Sequence, residues 1–98
     1  MPSAIGDEKF KYVVRALLTV LEYENQGKAP TISELIETAN LNKPLFHSHL
    51  KRNLESAGWV EFRVNPDRTV TAHLTEKGRK IAEALKTVEK ELKEAGVI

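Results

Sequence analysis

Residues 42–54 read NKPLFHSHLKRNL, and this stretch combines the spacing of a helix with two unlike faces. Phe46, Leu50 and Leu54 recur at every fourth position, so they stack on one side of an α-helix. The other sides carry bases and small polar groups, and no acidic residue occurs between Thr38 and Leu54. An apolar stripe with basic groups on the opposite side is an arrangement that suits the major groove of DNA.

The overall composition is that of one soluble globular domain. The chain has 98 residues, 41% of them hydrophobic and 30% charged, with 15 Lys and Arg against 14 Asp and Glu. Positive charge is therefore concentrated locally rather than spread along the chain. The absence of cysteine excludes disulfides and thiolate metal sites. The first residues lack the pattern of a signal peptide, and the most apolar stretch, 13–21, is too short to span a bilayer, so a cytoplasmic protein is expected.

The chain before the basic stretch predicts an arm and a long helix. Residues 1–6 are expected to be a flexible arm, and 7–98 a single domain. The first helix, from about Asp7 to Asn25, is apolar over roughly 240° of its circumference. A helix this apolar in so small a domain needs cover from two sides, and its own core supplies only one of them.

A helix-turn-helix is predicted over about 31–57. Thr31 and Glu34 form a capping box that begins a short helix. The turn at 40–42 offers an Asn for the left-handed end of that helix, a Leu for the core and an Asn to cap the next helix. That next helix is expected over 43–57, with its proline in the first turn.

Residues 59–74 predict a β-hairpin. Residues 65–68, Asn-Pro-Asp-Arg, suit a type I turn between two alternating strands. Trp59 is expected to be a core or edge residue of this hairpin; the alternative is a stacking platform for single-stranded nucleic acid. The apolar residues that alternate inward along the strands are Val60, Phe62, Val64, Val70, Ala72 and Leu74.

A last helix is predicted over 75–95, capped by Thr75. Its apolar residues form a narrow heptad seam, which is typical of helix pairing. Two packings fit: pairing with a second copy of the chain, which we prefer, or packing only on the first helix of the same chain. The residues expected in a dimer interface come from the first and last helices and are Tyr12, Ala16, Tyr23, Ile81, Leu85, Val88 and Leu92.

The order of elements predicts an α+β fold, the winged helix-turn-helix. Residues 48–60 (SHLKRNLESAGWV) and 74–79 (LTEKGR) resemble winged-helix transcription regulators, both MarR-like and PadR-like proteins and small archaeal homodimers. The resemblance covers roughly 31–82. It implies that 43–57 is a recognition helix for double-stranded DNA and that the hairpin is the wing. Gly78 is expected to let the last helix approach the sheet closely.

The residues expected to contact DNA fall into groups. Arg52 and Arg63 are assigned to phosphates, and Lys43 and Arg68 are expected to add phosphate contacts. An ordinary solvated helix face is the alternative for the bases of the recognition helix, and the missing acids argue against it. The groove itself is assigned to Asn42, Lys43, His47, Ser48 and Lys51, whereas His49 is expected to lie wholly or partly on the core side.

Two further contacts are predicted outside the recognition helix. Arg68, in the 65–68 turn, is expected to reach the minor groove or the backbone, with an ion pair to Asp67 as the alternative. Thr31 and Ser33 are expected to bind phosphate at the N-terminus of their helix.

Neither a metal site nor catalysis is predicted. His47 and His49 lie about 200° apart around a helix, and His73 lies on a strand without a carboxylate pair. We therefore expect no metal and no cofactor. The motifs of phosphate-binding loops, nucleophilic serines and zinc peptidases are missing from the sequence, so we expect no enzyme.

The functional hypothesis from the sequence is a homodimeric transcription regulator that binds double-stranded DNA and pairs through its first and last helices. Two alternatives stay open. One is a winged-helix module for protein–protein interaction, and the other is an architectural protein that binds DNA without sequence preference.

Overall fold

The computed structural model describes the backbone of residues 3–98 and the side chains of residues 9–98. The order of elements confirms the predicted winged helix. Three helices, two strands and a last helix follow one another along the described chain: α1 (Ser3–Asn25), α2 (Ile32–Ala39), α3 (43–56), β1 (Val60–Val64), β2 (Val70–Leu74) and α4 (Glu76–Glu94).

Helix α1 begins earlier than the sequence predicted. Its first residue is Ser3 rather than about Asp7, so residues 3–6 of the expected arm are helical, and residues 1–2 lie outside the described part. Ala4 is a strong helix former, and the single Gly6 costs only about 1 kcal/mol in a helix interior, so nothing in this segment stops the helix.

The core lies between the three helices of the N-terminal half and the hairpin. Its largest fully buried side chains come from α1, α2 and α3, together with Pro30 in the segment before α2. Helix α1 runs through the centre of the domain and contacts α2, β2 and α4. The central members of this core are Leu17, Val20, Leu35, Phe46, Leu50 and Leu54.

The caps around α2 form as predicted. The Thr31 hydroxyl accepts a hydrogen bond from the Glu34 amide at 3.1 Å, and the Glu34 carboxylate accepts one from the Thr31 amide at 2.9 Å. Asn40 ends the helix in the left-handed conformation with φ 53°, and Leu41 is buried in the core. Asn42 caps α3 through its side-chain oxygen. These local bonds fix the angle at which α3 leaves α2.

Helix α3 differs from the regular helix that was predicted. It consists of α-helical Lys43–Leu45, a π-helical turn over Phe46–Leu50, and α-helical Lys51–Ser56. Residues spaced by four drift by about 40° per step around an α-helix. A turn closed five residues apart is wider and absorbs this drift. Phe46, Leu50 and Leu54 consequently stay aligned and almost fully buried.

The hairpin has the predicted strands and turn. Val60 pairs with Leu74 at one end and Val64 with Val70 at the other. Val60 is buried as expected, but Val64 is 75% exposed. The prediction that Val64 faces the core was wrong, because the far end of the hairpin extends beyond the helices that cover its base.

Helix α4 is fixed to the start of the wing and to α1. The Thr75 hydroxyl accepts a hydrogen bond from the Gly78 amide at 2.9 Å, which confirms the predicted cap. Gly78 lies against the backbone of Trp59 with no room for a side chain, so the expected close approach is also confirmed. An ion pair between Arg79 and Glu24 joins α4 to α1.

Candidate nucleic-acid interface

The outward side of α3 and the turn of the wing carry most of the residues predicted to contact DNA. The exposed residues of α3 are Lys43, Pro44, His47, Ser48, His49, Arg52, Glu55 and Ser56, and the capping residue Asn42 is exposed just before them. The buried stripe on the opposite side holds the helix against the core, so these side chains are presented on a rigid element.

Helices α2 and α3 form a shallow groove of about 280 Å³ on this side of the protein. Lys43 and His47 line it from α3, and Ser33 and Glu37 from α2. The structure therefore brings together two residues that were predicted to enter the DNA major groove, Lys43 and His47, and one that was predicted to contact phosphate, Ser33. Glu37 is the nearest acidic residue before the acid-free segment, and sequence reasoning had not placed it beside them.

The structure places Lys51 differently from the other predicted groove residues. Its side chain is only 34% exposed, and its ammonium lies 3.6 Å from the Glu55 carboxylate. The same ammonium lies 5.1 Å from the centre of the Phe62 ring on β1. Lys51 thus points along the protein surface toward the wing, with its charge partly countered.

His49 is exposed, although its spacing had indicated a position wholly or partly on the core side. That expectation assumed 3.6 residues per turn throughout α3, and the π turn violates the assumption. The sequence did contain a signal for the π turn. The residues of the apolar stripe of α3 recur at every fourth position, and no apolar residue occurs three positions after Phe46 or Leu50.

The wing presents Arg68 in a strained backbone conformation. Arg68 has φ 72°, and its amide donates to the Asn65 carbonyl at 2.9 Å across the turn. Asp67 does not pair with it: the Asp67 carboxylate accepts bonds from the Thr69 hydroxyl at 2.6 Å and the Thr69 amide at 3.0 Å. These bonds lower the pKa of Asp67 below its ordinary value of 3.8. The ion pairs found among residues 9–98 do not include Arg68.

The outer face of the hairpin carries a more neutral charge pattern. The Arg63 guanidinium lies 2.6 Å from the Glu61 carboxylate, and this ion pair reduces the attraction of Arg63 for a phosphate. His73 faces the same side and bonds to the Thr71 hydroxyl at 2.7 Å. Burial and the nearby Arg63 lower the pKa of His73 below 6.5, outweighing the carboxylates of Glu24 and Glu61.

The N-terminus of α2 offers one of its two predicted phosphate ligands. Ser33 is exposed beside Lys43 and His47. The Thr31 hydroxyl and amide are both engaged in the capping box, and Thr31 also pairs with Thr71 in an isolated β-bridge. Ser33 is the better placed of the two for a phosphate.

The residues predicted for a dimer interface divide into buried and exposed ones. Ala16 is fully buried inside its own chain, so its assignment to an interface was wrong: it has no surface to offer. Ile81 and Leu85 pack partly against the same core. Val88 and Leu92, farther along α4, are 54% and 37% exposed.

The two predicted interface tyrosines are half-buried on α1. The Tyr12 ring lies beside the cations of Lys11 and Arg15. The Tyr23 hydroxyl lies 3.2 Å from the Thr38 hydroxyl and so ties α1 to α2.

The apolar seam of α4 thus has two parts. Its first half packs on the core of its own chain, and its second half leaves apolar residues uncovered.

Among the residues that the structure describes, no three His, Cys, Asp or Glu side chains come together as a metal site. Within the same residues, no helix has the length and apolar content needed to cross a membrane.

Comparison with known proteins identifies the fold and the family. Residues 4–92 match the family model described as "ArnR1-like, winged-helix domain". Matching against curated proteins gives no significant similarity.

Several solved structures are similar to this chain. MepR, a transcription regulator of the Staphylococcus aureus multidrug efflux pump MepA, is 26% identical with a TM-score of 0.67, over 87% of this chain and 62% of MepR. AF1382 from Archaeoglobus fulgidus is 25% identical with a TM-score of 0.72, over 82% of this chain and 86% of AF1382. The S. aureus MepR–DNA complex gives a TM-score of 0.70 at 22% identity, over 87% of this chain and 61% of that one. The chain thus spans less than two thirds of the length of MepR.

Proposed function

This chain belongs to the family of ArnR1-like winged-helix domains, and we propose that it is a transcription regulator that binds double-stranded DNA. In this proposal α3 enters the major groove and the wing turn at 65–68 contacts the minor groove or the backbone. MepR, which shares the fold, has been crystallised with DNA, and this supports the proposal.

The observation that carries the proposal is the exposed side of α3. The helix is anchored by fully buried Phe46 and Leu50, while Lys43 and Arg52 are exposed near its two ends, and no acidic residue occurs between Thr38 and Leu54. Basic groups at both ends of a groove-sized helix fit the phosphates that flank a major groove. Arg68 on the wing adds a third exposed cation.

Salt dependence tests this proposal. We expect the affinity for a random duplex to fall linearly on a log–log plot against salt between about 50 and 200 mM. Removing one phosphate contact, as in Arg52→Ala or Lys43→Ala, should lower the slope by about 0.9. Lys90→Ala is the matched control, because Lys90 is exposed on α4, outside the proposed interface.

The possible results separate the alternatives. Failure of the native protein to bind DNA at low salt would contradict the proposal and favour a module for protein–protein interaction. If a duplex selected from a random library binds no more tightly than unselected duplexes, the result would favour an architectural protein instead.

We further propose that the protein acts as a homodimer. Val88 and Leu92 form an exposed apolar surface on the second half of α4, and Phe10 of α1 is 65% exposed. A second copy placed on this surface would bury it. Two-fold symmetry would then set two copies of α3 into successive major grooves about 34 Å apart.

Sedimentation equilibrium tests the dimer. Val88→Lys with Leu92→Lys should convert a dimer into a monomer, because burying two unpaired charges in an interface is unfavourable. Thr87→Lys with Glu91→Gln is the matched control, since together these changes raise the net charge by the same two units at exposed positions of α4. A native protein that stays monomeric at high concentration would contradict this part of the proposal.

A further inference from the structure

We infer that the π turn of α3 makes His49 a residue that reads DNA bases and removes Lys51 from that role. The inference rests on the proposed DNA-binding function and specifies which residues of α3 give sequence preference.

The π turn first explains the position of Lys51. The Lys51 amide donates to the Phe46 carbonyl, five residues earlier, so Lys51 returns toward the side of the helix that carries buried Phe46. The Phe46 ring packs edge-on against Phe62 of the wing, with 6.1 Å between ring centres. Lys51 lies over the same Phe62 ring. Its position follows from the helix geometry and leaves it beside the wing rather than on the outward side.

The residues inside the π turn behave in the opposite way. His47, Ser48 and His49 are all exposed, although each turn boundary, Phe46 and Leu50, is fully buried. Three consecutive exposed side chains make a broad outward surface at the middle of α3. His49 lies on one flank of this surface, and His47, which borders the groove with α2, lies on the other.

The chemistry of this surface suits base recognition. Residues 44–50 contain no Lys, Arg, Asp or Glu. A neutral imidazole carries one donor and one acceptor, and a serine hydroxyl can act as either. In the major groove, guanine presents N7 and O6 as acceptors, and adenine presents N7 as an acceptor and its N6 amino group as a donor. Phosphates favour full positive charge, which α3 carries at Lys43 and Arg52, outside the neutral centre.

A comparison of two duplexes tests this inference. The native protein is first used to select a preferred duplex from a random library, and affinities are then measured for that duplex and for a scrambled one. A base contact of about 1–3 kcal/mol corresponds to roughly 5- to 150-fold discrimination. We therefore expect His49→Ala to bind the selected duplex at least about 5-fold more weakly, with little change on the scrambled duplex and an unchanged salt slope.

Two further variants complete the test. His49→Gln keeps a donor and an acceptor and should retain part of the preference. Lys51→Ala should weaken both duplexes to the same small extent. Because both residues have surface exposure, circular dichroism should show native folding in each case.

The outcomes distinguish this inference from the proposed function. If the native protein discriminates between the duplexes and His49→Ala discriminates equally well, the inference is overturned while the proposed function stands. Loss of discrimination in Lys51→Ala would also overturn it. A native protein that binds neither duplex at low salt would overturn both.

Discussion

Gly78 packs directly against the carbonyl group of Trp59, so that a Cβ atom at position 78 would overlap the Trp59 backbone. This contact sets the distance between α4 and the base of the wing. The Thr75 hydroxyl reinforces it by donating to the Gly58 carbonyl at 2.6 Å. The wing is therefore held at its base by backbone packing rather than by side chains alone.

Gly78→Ala should destabilise the fold by about 1–3 kcal/mol or more, because the carbonyl that it meets belongs to the main chain and cannot rotate away. Urea unfolding measures the change. Lys77→Ala, at the neighbouring exposed position of the same helix, should shift the free energy of unfolding by less than about 0.5 kcal/mol. Equal stability of the two variants would show that α4 does not approach Trp59 so closely.

Asn42→Ala should lower the free energy of unfolding by about 1 kcal/mol, because the Asn42 side chain accepts a hydrogen bond from the Leu45 amide at 2.9 Å and caps α3. Asn42→Ser retains a capping oxygen and should recover most of the loss. Thermal unfolding of the two variants makes the comparison, and an equal loss in both would contradict the capping role.

Arg68→Gly should separate stability from DNA binding. Arg68 has a left-handed φ of 72°, which costs an ordinary side chain about 1–2 kcal/mol and costs glycine almost nothing. The greater freedom of glycine in the unfolded chain offsets part of this gain. We therefore expect a gain in stability of up to about 1 kcal/mol, together with a salt slope for DNA binding that is lower by about 0.9. Unchanged DNA binding would exclude Arg68 from the interface.

Acidification should destabilise the wing through His73. Burial and Arg63 depress the folded-state pKa of His73 below 6.5, so the folded protein favours the neutral imidazole. This contribution to stability is complete above pH 6.5 and is lost as the pH falls through the folded pKa. Urea unfolding of the native protein and of His73→Gln between about pH 7.5 and about pH 5 should show a steeper decline for the native protein. Parallel curves would contradict the assignment.

The sequence predicted the elements of the fold well, because their ends are encoded by local hydrogen bonds. Thr31 with Glu34, Asn42 and Thr75 each cap a helix through neighbours three residues away, and these bonds do not depend on the rest of the chain. The close approach at Gly78 was predicted from a different signal, a glycine in the first turn of a helix, where the missing Cβ leaves room for another backbone.

The candidate site was predicted less well, because it depends on rotation about the axis of α3. Assigning Lys51 to the DNA groove and His49 partly to the core assumed a uniform helical turn, whereas the π segment turns Lys51 toward Phe62 and leaves His49 exposed. Local sequence patterns also do not show whether another element of the fold covers a given residue. Val64 alternates correctly with Phe62 but lies beyond the helices, and Ala16 is covered by its own chain.

An NMR titration of the isotope-labelled protein with a duplex measures directly whether α3 and the wing turn form the DNA-binding surface. We expect the largest amide shifts within residues 42–52 and 65–69, and little change in residues 83–94 of α4. Shifts confined to α1 and α4, with α3 unaffected, would contradict this expectation.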